Sequence, residues 1–435
     1  MKDAIEIIRT LRDLGFSALL AGGCVRDRIM RREPEDYDIA TDALPEQIVR
    51  IFSRTIPVGA EFGVVVVVVE GREYQVATFR SDSAYSDGRH PDRVTFSSAQ
   101  EDALRRDFTI NGLFYDPIED RIIDYVGGKA DIEREMIRAI GDPNERFGED
   151  KLRMMRCVRF AARFHYRIEE RTFEAIRRMA PKILQVSWER VRDELIKILT
   201  DGNAGTGIEL LIRSGIMEHI LPEICAMEGV KQPPRFHPEG DVLTHTLMML
   251  DRMGMTSPTL ALGVMLHDVG KPPTFEVRDR IRFNEHAEVG AKMVEEICRR
   301  LKSSNFEVEQ VRELVRNHLK FMDVQNMRPS TLKRFLRTEG FEEHLELHRL
   351  DCMCSHGDLT NWAFCKRALE EMEPEEIRPK PLINGYDLID LGYTPGPRFR
   401  EILSLVEDAQ LEGQIKNREE ALKLIEGTFK KKERG

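Results

Sequence analysis

Leu20-Ala21-Gly22-Gly23-Cys24-Val25-Arg26-Asp27, followed a few residues on by Glu35-Asp36-Tyr37-Asp38-Ile39-Ala40, decides how the first third of this chain is read. Residues 17–21 have the apolar run of a short strand, and Gly22-Gly23 comes directly after it at the start of a predicted helix. Backbone N–H groups and a helix N-terminus would then face any phosphate placed there, and glycine lets the backbone approach it closely. Asp36 and Asp38 are two apart on a second predicted strand, which points both carboxylates to one face. Two carboxylates on one face can hold two Mg²⁺ ions, one to activate an attacking 3′ hydroxyl and one to neutralise pyrophosphate. Alone, the first motif is a tight turn and the second an exposed strand end. Their order and distance point to nucleotidyl transfer.

Outward from this stretch the pattern is mixed. Ala4, Ile5, Ile7, Ile8, Leu11 and Leu14 have helical spacing with Gly15 as the stop. Strands are expected over residues 17–21, 37–40, 64–70, 73–79 and 122–125, with Gly71-Arg72 as a hairpin turn. After Gly141-Asp142-Pro143 the spacing turns helical almost throughout, broken at Asp201-Gly202-Asn203 and again near Pro374, Pro379 and Pro381. The expected fold class is an α/β head with a small mixed sheet, followed by an all-α neck, body and tail. The divisions fall at residues 1–140, 141–204, 205–375 and 376–435.

A chain of 435 residues with 41% hydrophobic content can bury several cores. Its seven cysteines are scattered, without C-x-x-C spacing, which argues against a disulfide framework or zinc ribbon and for a reducing cytoplasm. No basic apolar leader follows Met1, and the longest apolar run, Val64–Val69, is too short to span a bilayer, so no membrane partner is expected. The formal charge of −10 speaks against nucleic acid only on average. Residues 151–167 carry Lys151, Arg153, Arg156, Arg159, Arg163 and Arg167 with no acidic residue between them, enough for a local basic groove.

Three further blocks bear on chemistry. Arg105 and Arg106, in Glu101-Asp102-Ala103-Leu104-Arg105-Arg106-Asp107-Phe108-Thr109-Ile110-Asn111, suit phosphate if they open a helix. Asp150 and Arg153, in Glu149-Asp150-Lys151-Leu152-Arg153-Met154-Met155-Arg156-Cys157-Val158-Arg159-Phe160, are three apart and would share one helical face. Carboxylate and guanidinium together can read the Watson–Crick edge of C or A without a nucleic-acid template. Ser187 is a natural N-cap for the helix of Trp188-Glu189-Arg190-Val191-Arg192-Asp193-Glu194, read as structural.

The stretch from Leu20 to Asp42 resembles the signature of bacterial CCA-adding tRNA nucleotidyltransferases and poly(A) polymerases of class II, with a polymerase-β-like head. The resemblance implies that Gly22, Gly23 and Arg26 contact the triphosphate and that Asp36 and Asp38 are the catalytic metal ligands. It implies that Arg105, Arg106, Asp107 and Asn111 shape the sugar and triphosphate site. Asp150 and Arg153 would choose the base, with Arg156 and Arg159 also at the nucleotide. The polar residues 80–98 look like the family's flexible loop. Gln75 stands where several relatives carry a glutamate, which leaves a third acidic ligand unassigned. The implied partners are CTP, ATP and the tRNA 3′ end, with oligomeric state left open.

The helical body adds His245, the pair His267-Asp268 in Leu266-His267-Asp268-Val269-Gly270-Lys271, and Asp351. The pair can bind one divalent transition metal while His245 and Asp351 converge from other helices, with His286 and His318 as candidates for a second metal or a phosphate. This order resembles the HD phosphohydrolase superfamily, which implies hydrolysis of phosphomonoesters or cyclic 2′,3′ phosphates by a metal-activated water. The tail from Leu382 through Pro395-Gly396-Pro397 resembles HD-bearing relatives and could accept an RNA phosphate or simply join helices. Rival readings are a poly(A) polymerase, an enzyme adding only CC or A, an HD phosphohydrolase with a nucleotide-binding head, and an RNA-binding scaffold.

Overall fold

A computed structural model describes residues 1–56, 63–83, 93–234, 237 and 240–429. The chain folds as two compact units, Met1–Ala226 with Arg300–Ser303, and Met227–Arg299 with the chain from Ser304 onward.

The first unit opens with α1 (Lys2–Asp13), which buries Ala4, Ile7, Ile8 and Leu11. Then come β1 (Ala18–Ala21), α2 (Gly23–Ile29), β2 (Ile39–Thr41), α3 (Pro45–Ile51), β3 (Thr55–Ile56), β4 (Val64–Val69), β5 (Arg72–Thr78), β6 (Arg80–Ser83), β7 (Arg93–Phe96), α4 (Ala99–Leu104), β8 (Leu113–Asp116), β9 (Arg121–Asp124) and α5 (Gly128–Glu133). Seven strands form one mixed sheet in the order β3-β4-β5-β2-β1-β8-β9. Within it β2 and β5 run parallel, while β1 pairs antiparallel with β2 and β8. All four residues of β1 are buried, as a central strand requires.

Two sequence expectations shift here. The turn between β4 and β5 is Glu70-Gly71, one residue earlier than expected, with φ of 50° and 80°, the pair of positive values that a type I′ hairpin turn needs. The polar residues 80–98 are not wholly loop, because β6 and β7 pair antiparallel with Arg80 opposite Phe96. The middle of that stretch, residues 84–92, lies outside the described residues.

The rest of the first unit is β10 (Met136–Ile137), α6 (Pro143–Glu149), α7 (Arg153–Phe164), β11 (Arg167–Ile168), α8 (Glu170–Met179), α9 (Trp188–Thr200), α10 (Ala204–Arg213), α11 (Ile216–Ile220) and α12 (Pro222–Cys225). α10 lies tightly on its neighbours at Gly207, where a Cβ would stand 2.5 Å from Ile198 Cγ2. Ser187 holds the N-cap position of α9, but its side chain makes no capping hydrogen bond.

The second unit holds α13 (Val242–Met253), α14 (Pro258–Leu266), β12 (Phe275–Val277), β13 (Ile281–Phe283), α15 (His286–Arg300), α16 (Asn305–Asn317), α17 (Pro329–Leu336), α18 (Phe341–Cys354), α19 (Thr360–Glu371), α20 (Pro374–Ile377), α21 (Gly385–Asp390), α22 (Pro397–Leu411) and α23 (Arg418–Thr428). The β12–β13 hairpin interrupts what the sequence suggests is purely helical. Every residue of α14 from Leu260 to Leu266 is buried. An all-apolar helix of this kind is a core helix, and it delivers His267 and Asp268 from its C-terminal end into the interior.

Candidate functional site

In the first unit a cavity of about 430 Å³ gathers the three motifs of the head and neck. β1 ends at Ala21 and the chain turns at Gly22 with φ 72° into α2. Gly22, Gly23 and Arg26 line one wall, with Asp38 beside them. The positive φ at Gly22 favours glycine, and a Cβ there would push on Arg106 Nη1, 2.8 Å away.

Asp36 and Asp38 are not on the strand as expected. They precede β2, which begins at Ile39, in a lead-in without regular structure. Both carboxylates are exposed; Asp38 lines the cavity and Asp36 lies outside its lining. Partial desolvation, with the charge of Asp36 nearby, raises the Asp38 carboxyl above its ordinary value against the opposing pull of Arg106.

Arg105, Arg106, Asp107 and Asn111 supply the second wall. The arginines follow the C-terminal end of α4, not its start, because Ser98 and Glu101 form the capping box that begins the helix. Asp102, quoted within the motif but given no role from sequence, is 1% exposed and holds Arg105 at 2.7 Å and Arg106 at 3.0 Å. Asp107 accepts from Arg156 Nη2 at 2.7 Å and from Asn111 Nδ2 at 3.1 Å, and Asn111 Oδ1 accepts from Arg26 Nη1 at 2.7 Å. One polar chain thus links Arg156, Asp107, Asn111 and Arg26 across the cavity. Burial works to raise the Asp107 carboxyl, but Arg156 and Asn111 more than offset it and hold it at about 2.

Asp150, Arg153, Arg156 and Phe160 complete the lining. Asp150 and Arg153 reach the same cavity without sharing a helical face. Asp150 is the extended residue after α6 (φ −138°, ψ 109°), and α7 starts at Arg153. Arg153 turns onto Glu149 and the Arg146 carbonyl. Arg159 lies outside the lining. It is buried and paired with Glu194 at 2.6 Å. Phe160 and Phe164 stack at 5.9 Å, with Arg26 5.5 Å and 4.7 Å from their centroids. Five arginines and three aspartates line the cavity, a local excess of positive charge in an acidic chain.

In the second unit the histidines and aspartates converge as two triplets, each with ligand atoms within 4.8 Å of one another. One is His245, His267 and Asp351; the other is Asp268, His286 and His318. The sequence places Asp268 with the first group, but its side chain bridges the two. Oδ2 lies 3.0 Å from His267 Nε2, while Oδ1 lies 3.7 Å from His286 Nε2 and 3.9 Å from His318 Nε2. His245 Nε2 is 3.1 Å from Asp351 Oδ1.

The Nδ1 atoms of His267, His286 and His318 face the carbonyls of Val264, Phe283 and Val315 at 2.9, 2.9 and 2.6 Å. A carbonyl only accepts, so Nδ1 carries the proton and each Nε2 presents its lone pair to the site, the tautomer a metal ligand needs. Burial pulls His318 down to about 3 against the raising charge of Asp268, and lowers His286 as well, so both rings are neutral near pH 7. Burial alone would raise Asp268; His267 and Lys271 hold it well below the ordinary carboxylate range. Among the described residues, Asp268 Oδ1 and His267 Nε2 are buried without a hydrogen-bond partner. Such atoms are costly unless a cation meets them, and imidazole nitrogens with carboxylate oxygens suit a divalent transition metal. Lys271, 2.7 Å from Asp268 Oδ2 and 2.6 Å from Gln232 Oε1, also faces this site. Nothing in the sequence signals Gln232.

A mixed-sheet head whose glycine turn, aspartates and arginines share one cavity, with a helical body bearing a histidine–aspartate centre, defines a nucleotidyltransferase of the poly(A) polymerase head class. Residues 18–138 match the family model for the poly(A) polymerase head domain, 165–228 the probable RNA- and SrmB-binding site of polymerase A, and 241–351 the HD domain. The chain belongs to the CCA-adding enzymes, the tRNA nucleotidyltransferases of this class. It is 33% identical over 435 residues to the CCA-adding enzyme of Enterococcus faecalis, covering 100% of this chain and 96% of that one. Identity to the CCA-adding enzyme of a Geobacillus species is 31% over 424 residues, 96% and 95% of the two chains. The crystal structure of the Bacillus stearothermophilus CCA-adding enzyme in complex with CTP superposes with a TM-score of 0.77 at 27% identity, covering 98% of this chain and 97% of that chain. Among the described residues no helix is long and apolar enough to cross a membrane.

Proposed function

We propose that this chain adds CCA to the 3′ end of tRNA from CTP and ATP, in the cytoplasm, with a head at residues 1–140, a neck at 141–204, an HD body at 205–375 and a tail at 376–435. One observation carries this: glycine turn, aspartate and arginines from three separate motifs line a single cavity. Asp36 and Asp38 would hold Mg²⁺, which when bound neutralises charge on the attacking and leaving oxygens. The Gly23 N–H at the start of α2, with Arg26, Arg105 and Arg106, binds and orients the triphosphate. Asp107 and Asn111 fix Arg26 and Arg156 in place for that task. Asp150 accepts the exocyclic amino group of C or A while Arg153 donates to the neighbouring acceptor on the base edge. Arg159, paired with Glu194, supports the helix without touching nucleotide.

Incubating the protein with tRNA lacking its CCA end and each NTP separately tests the assignment. CTP alone is expected to add two C, and ATP to add one A only to tRNA that already carries them. Runs of A from ATP alone would instead mean a poly(A) polymerase. Asp38→Asn is expected to lower kcat by about 10³-fold or more, the several kcal/mol that a metal site contributes.

The second centre supports hydrolysis of phosphomonoesters or cyclic 2′,3′ phosphates, because Asp268 bridges two ligand triplets. Two equivalents of transition metal per chain are expected by mass spectrometry. His286→Ala should retain one.

A further inference from the structure

We propose that Arg190 is a positioning residue that sets nucleotide specificity by locking the carboxylate of Asp150; the inference rests on Asp150 being a base-reading group. Arg190 stands on α9, the helix whose sequence suggests only a structural part. Its Nη2 lies 2.7 Å from Asp150 Oδ2, with the two side chains 22% and 15% exposed. The other oxygen, Oδ1, accepts from the Leu152 N–H at 3.0 Å. Asp150 therefore has one bond to its own turn and one to a neighbouring helix. Four residues on, on the same face of α9, Glu194 accepts from Arg159 of α7 at 2.6 Å. α9 thus grips the base-reading segment twice, once through each sign of charge.

The chemistry follows from what a carboxylate offers. Ionised, it only accepts hydrogen bonds. Cytosine N4 and adenine N6 are donors, whereas uracil and guanine place a carbonyl oxygen at the matching position. A carboxylate held in one orientation welcomes the first pair and repels the second. The terminal torsion of Asp is broad and roughly two-fold, so the Leu152 N–H alone leaves the plane of the group free to turn. Arg190 removes that freedom.

The test uses the full chain, with kcat/KM for CTP and UTP measured on tRNA lacking its CCA end and for ATP and GTP on tRNA ending in CC. Arg190→Gln is expected to reduce the ratio of CTP to UTP, and of ATP to GTP, by about 10- to 100-fold, the span of one base-edge contact. Arg190→Lys, a charged single-point donor, should give intermediate ratios. A brace without a role in selection would lower kcat/KM for all four nucleotides alike, and unchanged ratios in Arg190→Gln overturn the proposal. Asp150→Ala separates the two levels. Should it lose selectivity while Arg190→Gln keeps it, Arg190 alone is misassigned. Should Asp150→Ala keep selectivity, base reading by Asp150 falls and the role of Arg190 with it. If Arg190→Gln does not fold, Arg190→Lys decides, with a several-fold fall in both ratios expected and no fall overturning the claim.

Discussion

Asp107→Asn is the sharpest probe of the polar chain that crosses the head cavity. The substitution keeps the shape of the side chain and removes its charge, leaving Arg156 without its partner at 2.7 Å. In the folded protein the Asp107 carboxyl is held at about 2 against an ordinary value of 3.8. At about 1.4 kcal/mol per tenfold change in proton affinity, the native environment of the charged form contributes about 2 kcal/mol near neutral pH. Because the folded value is depressed, this contribution is complete above pH 4 and is lost as pH falls toward 2. About half should be gone by pH 3. The assay is urea unfolding of wild type and variant in a Trp362→Phe background. There Trp188, one of two tryptophans, reports on the first unit alone. The variant should be less stable by about 2 kcal/mol at pH 7, with the gap narrowing between pH 4 and pH 3. A gap that is absent at pH 7, or that stays constant with pH, would refute the reasoning.

Other outcomes follow from single contacts. Gly22→Ala meets both a positive φ of 72° and Arg106 Nη1 at 2.8 Å, so CTP affinity by equilibrium dialysis should fall at least tenfold, about 1.4 kcal/mol. Gly270→Ala would place a Cβ 2.1 Å from the His286 carbonyl. It should reduce metal content of the second unit while leaving nucleotide incorporation close to wild type. Glu194→Gln strips the buried Arg159 of its nearer partner at 2.6 Å, leaving only Asp201 at 3.5 Å, and should cost about 3 kcal/mol in urea unfolding of the first unit, the low end for breaking a buried ion pair.

Much of the head was legible because its signals are local. The strand before Gly22, the helix after it, and the six-valine run of β4 each follow from spacing within a few residues. Arg105 and Arg106, expected at the start of a helix, instead follow the end of α4, whose capping box at Ser98 and Glu101 was not read from the sequence. Misplaced details share one cause. Asp36 and Asp38 read as strand because alternation was extended three residues past Ile39, where the register with β1 ends. Asp150 and Arg153 read as one helical face because spacing cannot see the extended residue that separates α6 from α7.

Sequence alone determined which chemistry is available: carboxylates and arginines near a glycine turn, and histidines and aspartates in a helical body, since residue identity and short-range periodicity are covalent facts. Only the tertiary structure decided which of these groups meet. Asp268 bridging two triplets, Arg159 turning from the cavity to Glu194, Asp102 gripping two arginines and Arg190 closing on Asp150 depend on packing. A buried charge must find its partner wherever the fold brings one, and at separations such as the 35 residues between Arg159 and Glu194 no local pattern records the choice.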